Sequence, residues 1–233
     1  DYNFMTGTSM SSPHVSGVAA LLKATHPDWS ASAIRSALVT TANPLDNTQN
    51  PIRDNGYPLQ YASPLAMGAG EIDPNKALDP GFIYDVTPQD YVDLLCASGY
   101  THDQILTITR SKSYKCVANP TSDLNYPSFI VLYNNRTESL VQEFRRTVTY
   151  VGDGAATFRV KVRQPEGSEV TVSPKMLEFT YKHEKRSYSV IIKYTRNKKE
   201  NISSGDIVWV ENGDARTVRS PIVVAPIEVA SFA

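Results

Sequence analysis

Ser9 is the residue whose setting first suggests chemistry. It follows Gly7-Thr8, a tight-turn sequence, and precedes a run from Met10 to Lys23 with helical character and few polar side chains. At a helix start the first N–H groups lack intrahelical acceptors and the macrodipole is positive, so a serine oxygen and a nearby developing oxyanion are both favoured there. Pro13 is tolerable if it falls within the first turn, where the N–H it lacks would have had no partner. Val15, Gly17, Val18, Ala19, Ala20, Leu21 and Leu22 then predict a helix packed on most of its sides. The ordinary role of such a serine is an N-cap. A nucleophile needs in addition a base within hydrogen-bond reach. The nearest imidazole, His14, is five residues on, about 7.5 Å of rise and roughly 140° of rotation away, so it is expected to be a hydrogen-bonded packing residue. His26 precedes Pro27 at a helix end, where C-terminal carbonyls would occupy it. His102 and His183 stand in polar surroundings without metal-ligand spacing. Surface positions are expected for both, and no metal or cofactor.

The full string around the serine is more specific than Gly-Thr-Ser. "GTSMSSPHVSG" (7–17) resembles the nucleophile segment of the subtilisin-like serine proteases, and three further stretches are similar to their plant, cucumisin-like branch: "HPDWSASAIRSALVTTA" (26–42), "MGAGEIDPNKALDPGFIYD" (67–85) and "DLNYPSF" (123–129). One departure is Ser12, where plant members often carry cysteine; a change of packing only is expected from it. The resemblance implies a serine endopeptidase acting on a peptide or protein substrate, with Ser9 as nucleophile and its backbone N–H as an oxyanion donor. Subtilisin-type triads run Asp, His, Ser along the chain. The catalytic His and Asp, and the side-chain amide completing the oxyanion hole, are therefore expected on sequence preceding Ser9 and outside this chain, which alone should be inactive. A competing reading is a non-catalytic, secreted β-sandwich binding module attached to a degenerate or severed protease end. An α/β-hydrolase is disfavoured because its elbow is G-x-S-x-G and Ser11 stands where the second glycine belongs.

Lys plus Arg number 23 against 24 Asp plus Glu, a net charge of -1, which predicts no general attraction to nucleic acid or to an anionic membrane. No run reaches the roughly 20 apolar residues a membrane span needs. Cys96 and Cys116 would close a loop of about twenty residues worth roughly 3 kcal/mol, or both could be reduced core thiols. Asn135-Arg136-Thr137 and Asn201-Ile202-Ser203 are glycosylation sequons in turn-like stretches. Together with the resemblance these favour a disulfide, glycans at Asn135 and Asn201, and a secreted, extracellular setting, the apoplast or cell wall if the source is a plant.

The elements that must position these groups fall into two parts. Residues 1–119 are expected to be the C-terminal part of an α/β subtilisin-like catalytic domain, with the nucleophile helix, a second helix from about Ser30 to Thr41, a long surface loop over 43–64, and a short helix capped by Thr87, Pro88 and Asp90 and stopped by Gly99. From Leu124 the apolar period becomes two. Strands are predicted at 126–133, 144–151, 157–163, 170–181, 187–194, 206–211 and 215–229, broken by Gly152-Asp153-Gly154 and Asn212-Gly213. Residues 120–233 are thus expected to form an all-β sandwich able to fold alone, and the resemblance implies that it is the fibronectin-III-like domain that the plant family carries at its C-terminus.

Overall fold

The computed structural model describes residues 3, 5–56, 58–134, 136–196, 202–213 and 215–227. A helical layer comes first. Helix α1 (Thr8–Thr25) leads by way of Lys23 and His26 into α2 (Ala31–Thr41), whose N-cap Ser30 accepts from the Ala33 N–H. Two short helices follow, α3 (Pro64–Met67) and α4 (Pro74–Leu78), each opened by proline at its first position. Between α2 and α3 the predicted loop is ordered by bridges Asn43–Glu71, Leu45–Pro51 and Arg53–Tyr61. Leu22, Trp29, Ala33, Ile34, Ala37 and Ala77 make a small core among these elements.

Strand β1 (Phe82–Tyr84) comes next, then α5 (Pro88–Ala97) and α6 (His102–Thr109). Both helices open with capping boxes, Thr87 with Asp90 and Thr101 with Gln104, so two N–H groups at each start are satisfied reciprocally. Cys96 at the end of α5 is disulfide-bonded to Cys116, with Cα atoms 5.8 Å apart.

The remaining strands are β2 (Phe129–Tyr133), β3 (Ser139–Tyr150), β4 (Ala156–Arg163), β5 (Ser168–Ser173), β6 (Met176–Phe179), β7 (Lys185–Thr195), β8 (Ser203–Glu211) and β9 (Thr217–Pro226). They form a sandwich of two sheets, ordered β1-β3-β7-β5 and β2-β9-β8-β4-β6; only the β2–β9 pair is parallel. Alternate residues meet in one core that includes Phe129, Phe158, Phe179, Ile192, Ile207, Trp209 and Ile222. The single strand expected over 170–181 is two strands. β5 bonds to β7 in one sheet and β6 to β4 in the other, so the chain must cross between sheets at Ser173-Pro174-Lys175.

β1 lies before residue 120 yet is an edge strand of the sandwich. Its residues pair with Val148–Tyr150 of β3, and Phe82 and Tyr84 are fully buried in the sandwich core. Ile83, on its other face, packs into the helical core with Val151.

Candidate functional site

Ser9 occupies the second helical position of α1, because the N-cap is Gly7 and the serine itself caps nothing. The Gly7 carbonyl accepts from Met10 N at 3.0 Å, Ser11 N at 3.4 Å and Ser11 Oγ at 3.3 Å, which closes the first turn. The Ser9 N–H belongs to that turn, where donors have no intrahelical acceptor. Its side chain is exposed. Pro13 lies beyond the first turn, inside the helix, and so withholds from the Ser9 carbonyl the N–H that would normally bond to it. Both backbone groups of Ser9 are thereby freed from the helix ladder.

His14 donates from Nδ1 to the Met10 carbonyl at 2.8 Å, along its own helix. It is exposed rather than packed beneath the site, and it lines a groove of about 550 Å³ between α1 and residues 70–74. The expectation of a helix packed on most sides also needs correction. Only Leu22 is buried, while Leu21 is 63% and Val15 40% exposed. Apolar composition identified a face that prefers cover; among the described residues α1 meets chiefly α2 and α4.

His26 anchors the far end of α1. Its ring stacks on Trp29 at 3.9 Å and donates from Nε2 to Leu78 O of α4 at 2.9 Å, a carbonyl remote in sequence rather than one of its own helix. Lys23 Nζ donates to Pro27 O and Trp29 O, each at 2.7 Å. His102 starts α6 and His183 sits in a turn, both exposed. Asn135 and Asn201 lie outside the described residues.

Comparison with known proteins fits this geometry. Residues 1–63 match the model of the Subtilase family and residues 123–224 that of the fibronectin type-III domain. The subtilisin-like protease SBT3 of Solanum lycopersicum is 52% identical over 97% of this chain. Subtilisin-like proteases SBT1.5 of Arabidopsis thaliana and Glyma18g48580 of Glycine max are 45% and 41% identical, each over 96% of it. The chain belongs to the plant subtilisin-like proteases. It spans 30%, 30% and 28% of the length of these three relatives.

In this subtilase chain the helical layer, through α2, is tied to the fibronectin-III-like sandwich by polar groups that sequence reasoning missed. Asp85, just after β1, accepts at Oδ1 from Ser30 Oγ and Ser32 Oγ, both at 2.6 Å, and from the Val86 N–H at 2.9 Å. Burial works against its charge, but these hydrogen bonds outweigh it and hold its carboxyl below the ordinary carboxylate range. Ser36 of α2 accepts the Tyr84 N–H at 2.9 Å. Asn125 donates to Asp85 O at 2.8 Å and to Thr147 O at 2.7 Å, and accepts from Thr147 N at 3.0 Å, so a side chain extends the sheet at β3. Arg146, almost wholly buried, lies 4.7 Å from the Phe129 ring and pairs with Asp123 at 2.5 Å. The signal available beforehand was the string 123–129, whose polar residues turn out to serve this junction.

Proposed function

We propose that this chain carries the nucleophile of a secreted serine endopeptidase of the subtilisin type. Ser9 Oγ attacks the scissile carbonyl of a peptide or protein substrate, its proton passing to a His that an Asp orients. Both of these, and the oxyanion-hole amide, come from sequence preceding Ser9 in the full-length protein. The Ser9 N–H donates to the oxyanion; removal of one oxyanion-hole donor in subtilisin costs about 2.7–4 kcal/mol. The single observation that carries this reading is the position of Ser9, exposed at the second residue of α1 with its N–H in the unpaired first turn. Neither histidine of this helix is placed to serve as its base: His14 is five residues along α1, about 7.5 Å of rise and roughly 140° of rotation away, and His26 lies at the far end of α1.

The test is labelling by a fluorophosphonate probe. The full-length protein should be labelled at Ser9 and hydrolyse a casein substrate, the Ser9→Ala variant should do neither, and this chain alone should label no faster than a free serine. Rapid labelling of the isolated chain would show that something other than an upstream base activates the hydroxyl.

A further inference from the structure

The outer face of the five-stranded sheet carries a row of cations. Along β4 the outward positions are Arg159, Lys161 and Arg163, all exposed. Register sets Val210, Val208 and Asp206 opposite them on β8, and Arg219 of β9 opposite Val208. Asp206 is the one carboxylate in these three rows, and Arg163 already holds it, through Nε at 3.1 Å and Nη2 at 2.7 Å. Arg159 and Lys161 have no ion pair among the described residues. Arg219 donates to the Ala69 carbonyl, while its Nε is buried without a partner. The chain as a whole carries a net charge of -1, so this row is a local field and not the mark of a basic protein.

Protection of a sheet edge does not account for Arg159. Charged residues are placed on edge strands to prevent pairing with other chains; Lys161 and Arg163 lie past the end of the β6 register, but Arg159 is paired on both sides, with Met176 of β6 and Val210 of β8. The half-buried Val208 and Val210 give the face an apolar floor between the charges.

We propose that this face docks an extended acidic peptide segment whose carboxylates, at alternate positions, stand over Arg159, Lys161 and Arg163. Same-side residues of an extended chain repeat about every 6.6–6.8 Å. That is also the repeat of the cations along β4, so alternate acidic residues meet them one to one. Contiguous acidic residues would turn every second carboxylate away. The shared repeat favours a peptide over an acidic polysaccharide. Exposed ion pairs are individually weak and screened by salt, so binding is modest at low ionic strength and falls further at physiological salt.

The experiment uses the full-length protein in its Ser9→Ala form, so that the probe is not cleaved, and follows the fluorescence anisotropy of a short labelled peptide alternating Glu and Thr. Salt-sensitive binding is expected, with the affinity lowered about tenfold or more by Arg159→Glu combined with Lys161→Glu. Both side chains are exposed, so an unchanged melting temperature checks that the variant is folded. Unchanged affinity in that variant would overturn the assignment. So would equal binding of a peptide with the same number of Glu residues in one block. Binding of sodium polygalacturonate without binding of the peptide would give the face to a polysaccharide instead.

Discussion

At Gly7 the backbone adopts φ 140° and ψ 166°, a region essentially confined to glycine, and an added Cβ would meet nothing within 4 Å. Gly7→Ala therefore costs conformational strain alone, about 1–3 kcal/mol, with no clash to complicate its reading. Because Gly7 sets where α1 starts, relaxation of that strain would move the first turn and the Ser9 N–H. The expected outcome in the full-length protein is a fall in kcat of at least tenfold with KM little changed, measured beside the melting temperature. The helix start that carries Ser9 was legible in the sequence because its signal is local: a turn followed by an apolar, helix-forming run. Asp85, Asn125 and Arg146 were not. Their partners lie from about twenty to more than fifty residues away, at Asp123, Thr147, Ser30 and Ser32, and no periodicity announces a pairing across such a distance.

Between elements, the junction of α2, β1 and the 123–129 segment rests on a carboxylate. Asp85 is held charged by two serine hydroxyls and an N–H. Its pKa is depressed in the folded state, so its contribution to stability is complete above the ordinary carboxylate pKa of about 3.9 and is lost as pH falls through the lower native value. Asp85→Asn should destabilise the protein by about 1–2 kcal/mol near neutral pH, the size of a charged hydrogen bond discounted for solvent contact. The deficit should shrink in acid, where the wild-type carboxyl also loses its charge. Chemical denaturation at pH 7 and pH 3 measures both values, and an equal deficit at the two would remove Asp85 from the junction. Helices α2 and α5 and most strands were readable from caps and alternation, while α3, α4 and α6 were not predicted. β1 was not, since three apolar residues after Pro80-Gly81 carry too little pattern to be told from a loop. What makes Phe82–Tyr84 a strand is the edge that β3 offers it.

At the scale of the molecule, the boundary expected at residues 119 and 120 divides a sheet. A fragment beginning at 120 lacks Phe82 and Tyr84, both fully buried in the sandwich core. Loss of a buried aromatic costs about 3–5 kcal/mol, and a whole domain is stable by only about 5–15 kcal/mol. A fragment of residues 80–227 should accordingly melt in one cooperative transition, whereas 120–227 should show a broad transition or none; calorimetry of the two decides. A sharp, equally stable transition for the shorter fragment would show that the sandwich closes without β1. The two faces of β1 also differ in what they can accept. Phe82 and Tyr84 fill an aromatic space among Phe158, Phe179, Trp209 and Tyr188, while Ile83 fills a small one beside Leu22 and Ala37. Sliding the strand by one residue would exchange the faces and fit neither. Insertions or deletions of a single residue between Pro80 and Asp85 are thus barred to this chain in a way that substitutions are not. The 43–64 arm, which lies outside both sheets, is where changes of length can accumulate.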